Sequence, residues 1–263
     1  MTQFRPVRSL VRGLDILQAL NRRNGATVTE VAEDTSLSRG TVYRMLETLR
    51  EAGYVFRDNA DARYRLTILV RGLSDGFSDE SWISEIAKPR IEILCKKVVW
   101  PIAVATIHGT SMLVRETTDK NSPLAMRRLS GGFRFPIVAS SAGQVYLAFC
   151  PEEQRETILD ILSRSNTHPA DVLARNPKLM RKILSEVKEK GYATTTRPHL
   201  NDSSVAVPIL THGRVIGAIS LRYIDSAMSV ATAVEKYLDD LKATARDIAE
   251  AFEKKNQTVS GGA

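Results

Sequence analysis

Apolar residues recur at helical spacing through the first fifty positions. Over residues 9–21, Leu10, Leu14, Leu17 and nearby Leu20 fall on one predicted helical face. Asn24-Gly25 breaks the pattern. A short second helix is predicted next, with Thr29 as its N-cap, Glu30 early in it, and Val31, Ala32 and Thr35 facing inward. Leu37 interrupts, and Ser38 then caps a third helix whose apolar stripe, Val42, Leu46 and Leu49, runs to a stop at Gly53. Arg39, Thr41, Tyr43 and Arg44 are left on its other faces. Residues 54–57 and 63–66, on either side of the polar run 58–62, read as a hairpin.

The pattern changes after residue 66. Leu69, Leu73 and Phe77 stand four apart over 67–79, predicting a short helix that Gly72 and Gly76 loosen. Ile83, Ala87, Ile91 and Leu94 continue a helical stripe, in which Pro89 either starts a new helix or kinks the existing one. Two hairpins follow from alternation, 102–108 with 111–117 and 205–210 with 214–223, and 124–129 reads as a further strand. Helices are predicted over 140–149, 152–164 and 177–190, the last stopped by Gly191. In the final helix Val234, Leu238, Leu241, Ala245, Ile248 and Phe252 alternate steps of four and three. That stripe suits a coiled-coil seam, but packing on the domain's own sheet fits better. The second part is therefore an antiparallel α+β domain.

A chain of 263 residues accommodates one large domain or two smaller ones, and can bury a sizeable core without staples. Cys95 and Cys150 are too few for a disulfide framework or a four-cysteine metal site. No apolar run reaches the length of a membrane span and no signal-like stretch opens the chain, so no membrane partner and a cytoplasmic location are expected. The net charge is +7. Its distribution says more: residues 1–66 carry eleven basic side chains, all arginine, against eight acidic ones, and the first lysine is Lys88. Arginine's planar fork suits phosphate and guanine, although a solvated surface accounts for charge alone equally well.

Three helices and a hairpin in about sixty residues make a winged helix-turn-helix. A recognition helix offers short polar and arginine side chains near its N-terminus, which Ser38, Arg39, Thr41 and Arg44 supply, with Val42 and Tyr43 between them. Arg57, Arg63 and Arg65 flank the wing and Arg8 and Arg12 lie on the first helix, all candidates for phosphate contacts.

The second domain carries no catalytic signature. His108, His168, His199 and His212 are scattered, without metal spacing, and within 80–256 no HExxH, G-x-S-x-G, G-x-G-x-x-G or Walker pattern occurs. Neither an enzyme nor a cofactor or metal is expected.

Residues 8–71 resemble the N-terminal domain of the IclR family of bacterial transcription regulators. The resemblance rests on Arg12-Gly13-Leu14, Ile16-Leu17, and then Ala32, Leu37, Arg39, Thr41-Val42-Tyr43-Arg44, Leu46, Thr48-Leu49 and Gly53-Tyr54. It continues over nearly the whole chain. It implies a DNA-binding domain over 1–66, a linker helix over 67–79 and a GAF-like domain over 80–256 that binds effector and oligomerises, leaving 257–263 as a disordered tail. The family's pocket maps onto Ser140, Ser141 and Ala142 at a helix start, with Thr195, Val205, Ser220 and Arg222 on strands and Arg127 as a weaker carboxylate partner. Alternation puts Ser220 and Arg222 on one face and Leu221 on the other, which favours an inward Arg222. Stretches such as VRGLSDGFSDESWIS, VVWP, VRETT, LAFCPE, EKGY and Ser226-Ala227-Met228 are similar to the family's activators of aromatic acid catabolism. A phenylpropionate-like or related aromatic carboxylic acid is the implied effector.

The expected protein is a homodimer or homotetramer on a double-stranded operator, responsive to a small carboxylic acid. Two alternatives stand beside it: a constitutive DNA-binding regulator whose second domain only oligomerises, and a small-molecule enzyme with an appended DNA-binding domain.

Overall fold

A computed structural model describes residues 6–23, 25–73, 82–126, 128–197 and 201–260. The chain divides into two compact units, with the boundary between Ser78 and Asp79.

The first unit contains α1 (Arg8–Arg22), α2 (Val28–Thr35), α3 (Arg39–Glu51) and an antiparallel hairpin of β1 (Val55–Arg57) and β2 (Tyr64–Leu66). Its core gathers Ile16, Ala19 and Leu20 of α1, Val31 of α2, Val42 and Leu46 of α3, and Tyr64 of β2. The buried face of α1 is thus Ile16-Ala19-Leu20; Leu10 and Leu14, expected to lie on it, are exposed. Thr27, not Thr29, caps α2: its hydroxyl accepts from the Glu30 N–H while Glu30 accepts from the Thr27 N–H at 2.8 Å, a reciprocal capping box. Ser38 caps α3 as expected. Beyond β2 a helical turn, α4 (Leu69–Gly72), is described; the rest of the expected linker helix, including Phe77, lies outside the described residues.

The second unit is built on an antiparallel six-stranded sheet. Its strands are β3 (Ile102–His108), β4 (Ser111–Thr117), β5 (Arg134–Pro136), β6 (Ala193–Arg197), β7 (Asp202–Thr211) and β8 (Arg214–Ile224), in the order β5-β4-β3-β8-β7-β6. The strand expected over 124–129 does not form; its described residues run through turns, and Arg134–Pro136 pairs with β4 instead. The strands pack on both faces. Ile102, Val104, Val205, Val207, Ile219 and Leu221 point to one side, where α5 (Lys88–Val98) and α9 (Val230–Ser260) cover them. Ala105, Ala206 and Ala218 point to the other, under α6 (Ser141–Phe149), with α7 (Glu152–Ser163) and α8 (Pro177–Lys190) in the same cluster.

Two local features have direct physical causes. Pro89 has no N–H to give to Glu85, so the turn before α5 widens into a π-helical segment, Trp82–Ala87, and α5 starts at Lys88. Gly143 is demanded by crowding, because a Cβ there would lie 2.0 Å from the Ile137 carbonyl oxygen. The last helix is described through Ser260, and residues 261–263 of the expected tail lie outside the described residues.

Candidate functional site

In the first unit, α3 presents its N-terminal half to solvent. Arg39, Tyr43 and Arg44 are exposed, and no ion pair engages either arginine among the described residues. Ser38 Oγ accepts from the Thr41 N–H at 3.3 Å and lies 2.9 Å from Thr41 Oγ1, which fixes the helix start. Gly40 adds an open spot on the exposed surface, since a Cβ there would meet nothing within 4 Å. Val42 is different: it is fully buried in the core and anchors the helix rather than reading a partner.

The wing spends most of its arginine internally. Arg63 donates to Glu30 at 2.9 Å and to the Gly25 carbonyl at 3.2 Å. Arg65 bridges Asp58 at 2.7 Å and Asp61 at 2.6 Å, and its hydrogen bond holds the Asp61 carboxyl down at about 2. These two side chains fasten the hairpin while remaining partly exposed. Arg57 stays exposed, with its guanidinium 5.7 Å from the Tyr64 ring centroid. Arg8 and Arg12 lie one turn apart on α1, Arg8 fully exposed and Arg12 half-buried.

In the second unit, a cavity of about 690 Å³ opens on the α6 side of the sheet. Ser140, Ser141, Ala142, Thr195, Ser220 and Arg222 all line it, from the start of α6 and from β6 and β8. Ser204 of β7, which sequence reasoning missed, joins them: its hydroxyl lies 2.8 Å from both Ser141 Oγ and Thr195 Oγ1. The register explains its position, because Ser204 stands opposite Arg222. The same register places Val205 opposite Leu221, on the other face of the sheet and fully buried, so Val205 is a core residue and not a lining one. Arg127 lies outside the described residues.

Ser140 caps α6, accepting from the Gly143 N–H at 3.2 Å and donating to the Pro136 carbonyl at 2.8 Å. The N–H groups of Ser141 and Ala142 precede the first intrahelical carbonyl bonds, so the positive pole of α6 meets the cavity beside three hydroxyls. That combination suits a carboxylate. Phe133 and Phe135, stacked with ring centroids 6.4 Å apart, supply an aromatic wall.

Arg222 points into the cavity, as strand alternation predicts, with Nη2 paired to Oδ2 of Asp119. The Asp119 side chain is completely buried and accepts further hydrogen bonds from the Thr117 hydroxyl and from the Leu129 N–H at 2.8 Å. The positive charge of Arg222 is therefore matched from within the protein.

Residues 9–59 match the IclR helix-turn-helix domain family, and residues 78–250 match the family described as bacterial transcriptional regulator IclR C-terminal. The chain belongs to the IclR family. It is a DNA-binding transcriptional regulator with an effector-binding domain, and the IclR families and relatives it matches are transcriptional regulators, not enzymes. It is 27% identical over 220 residues to the DNA-binding transcriptional repressor YiaJ of Escherichia coli, covering 81% of this chain and 77% of the relative. It is 25% identical over 252 residues to the p-hydroxybenzoate hydroxylase transcriptional activator of Acinetobacter baylyi, covering 92% and 90%. Among solved structures, Thermotoga maritima IclR has the same fold, with a TM-score of 0.61, 22% identity and coverage of 94% and 99%. An IclR homologue from Microbacterium hydrocarbonoxydans, solved in complex with 4-hydroxybenzoate, superposes with a TM-score of 0.59 at 24% identity, covering 92% and 98%. Among the described residues no helix is long and apolar enough to cross a membrane, and no group of three or more His, Cys, Asp or Glu is assembled to hold a metal.

Proposed function

We propose that this IclR-family regulator senses a small aromatic carboxylic acid in the α6 cavity and changes its DNA affinity or activating state in response. The convergence of Ser140, Ser141, Ala142, Thr195, Ser220 and Arg222 on one cavity carries the reading. The ligand carboxylate sits at the start of α6 against Ser141, Ser204 and Thr195, and its ring lies along Phe133 and Phe135. Two relationships support the aromatic class: the p-hydroxybenzoate hydroxylase activator among the relatives and the structural neighbour that holds 4-hydroxybenzoate. Within the class, the stretches that resemble aromatic-catabolism activators favour a phenylpropionate, as in regulators of 3-(3-hydroxyphenyl)propionate breakdown.

DNA is read by α3. Arg39, Tyr43, Arg44, Ser38 and Thr41 face the major groove, and Arg57, Arg8 and Arg12 meet phosphates. Residues 1–66 form the DNA-binding domain, 67–79 the linker, and 80–256 the effector and oligomerisation domain. Two copies pair through the apolar stripe of Val7, Leu10, Val11 and Leu14, which is exposed on and just before α1. Effector domains join such dimers into tetramers. A soluble monomer of this size rarely leaves such a stripe uncovered.

A thermal-shift screen with aromatic and short aliphatic carboxylates tests the reading. A rise for benzoates or phenylpropionates that is lost in Arg222→Ala and Ser141→Ala supports it; a rise only for small keto acids removes the aromatic class; no shift with any acid favours a constitutive regulator.

A further inference from the structure

We infer that the cavity selects ligands with a single anionic group, and that Asp119 is the residue that sets this selectivity. The inference rests on the proposed reading of the cavity as a carboxylic-acid site and narrows it.

Two of the three arginines that line the cavity among the described residues are already paired with carboxylates. Arg197 pairs with Asp202 and Arg222 with Asp119. Asp171 is buried, accepting from the Ser165 hydroxyl at 2.8 Å and the His168 N–H at 3.1 Å, and Arg134 is exposed with its guanidinium 2.9 Å from a His108 ring nitrogen. The positive pole of α6 accommodates one carboxylate. A second carboxylate that reaches Arg222 meets an arginine already paired and, behind it, the buried Asp119. Such a group loses its water there without gaining an unmatched cation, since Arg134 stands exposed to solvent.

Asp119 is not positioned to yield its place. Its oxygens take donors from three segments: Thr117 at the end of β4, Leu129 in the following loop, and Arg222 of β8. Leaving Arg222 for solvent gives up all three. The part of the ligand that reaches Arg222 is therefore neutral, a hydroxyl, a carbonyl or an apolar group, while the part at the start of α6 is the carboxylate.

Calorimetric titration of the intact chain with matched acids tests this at fixed ionic strength: benzoate against terephthalate, 3-phenylpropionate against 3-(4-carboxyphenyl)propionate, and hexanoate against adipate. The wild-type chain is expected to prefer the monoacid of a pair by about tenfold or more, the scale of an unmatched charge at a partly buried site. Asp119→Asn keeps the shape and removes the carboxylate charge beside Arg222, so the preference shrinks or reverses. The double variant Asp119→Asn with Arg222→Gln removes both charges and restores it. Equal or tighter binding of diacids by the wild type overturns the inference without any variant, and so does an Asp119→Asn chain that folds and keeps the wild-type ratio. If only the aliphatic pair binds and shows the preference, the inference holds and the aromatic reading falls. Binding of no acid in any pair overturns both.

Discussion

Ser141 at the first position of α6 and Ser204 on β7 share a hydrogen bond of 2.8 Å between a helix and a sheet strand that lie 63 residues apart in the chain. Thr195 completes the hydroxyl cluster through the same Ser204 oxygen, also at 2.8 Å. Ser204→Ala removes the shared partner of both. It is expected to weaken effector binding by about 1–2 kcal/mol, roughly a factor of five to thirty, while leaving the fold intact. Calorimetry gives the affinity and circular dichroism the fold; an unchanged Kd contradicts the placement of the carboxylate.

Gly143 lets α6 lie against the Ile137 segment, where an added Cβ meets backbone at 2.0 Å. Backbone cannot rotate aside as a side chain can. Gly143→Ala is therefore expected to destabilise the second unit by about 2–3 kcal/mol or more, by overpacking. Gly40→Ala meets open space and sits in a helix, so it costs nothing in stability, although it adds bulk on the exposed surface of α3. Chemical denaturation of the two variants should separate them clearly, and equal midpoints refute the crowding argument.

Arg39→Ala or Arg44→Ala should cost about 1–3 kcal/mol of specific DNA binding if the side chain reads a base. A phosphate contact instead weakens all sequences alike and flattens the salt dependence. Arg63→Ala acts elsewhere: it breaks the pair with Glu30 and loosens the hairpin without changing base preference. Anisotropy titrations on specific and scrambled duplexes distinguish the cases. No loss in either α3 variant removes α3 from the interface.

Arg65 keeps the Asp61 carboxyl at about 2 instead of its ordinary 3.8. A depressed carboxyl contributes stability that is fully present above about pH 4 and is lost as the pH falls toward 2. Glu30 is lowered too, chiefly by the Thr27 backbone N–H, so its contribution fades below about 4.5 in the same direction. Acid should therefore loosen the wing, and Asp61→Asn should flatten the pH dependence between about 4 and 2. Carboxyl resonances followed by NMR give the test directly; an Asp61 midpoint near 4 contradicts the Arg65 pairing.

Much of this architecture could be read in the order of residues. The bounds of β3, β4 and α8 follow from alternation, a tight turn and the glycine at 191, all local signals. The cap of α2 was legible as well, since Thr27-Val28-Thr29-Glu30 carries the Thr-x-x-Glu spacing, but Thr29 offered a competing hydroxyl. The faces of α1 were not legible, because its exposed leucines and its buried Ile16 look alike without the partner helices. Residues 124–129 look like a strand from their apolar content, yet the Leu129 N–H goes to Asp119 rather than to a neighbouring strand. Asp119 itself left no trace: its partner Arg222 is 103 residues away, and only the register of the folded sheet brings them together. Val205 shows the same limit from the other side. Resemblance placed it in the pocket, and the pleat points it away.

The central claim is that one cavity governs DNA binding, and linkage tests it most directly. The duplex is selected by the chain itself from random sequence, and its Kd is measured with and without a saturating aromatic monocarboxylate that calorimetry shows to bind. A shift of about 5- to 150-fold, the range of an allosteric coupling of 1–3 kcal/mol, that in Ser204→Ala needs about five- to thirtyfold more acid is the predicted result. A bound acid that leaves the Kd of the duplex unchanged, in dimer and tetramer alike, contradicts it.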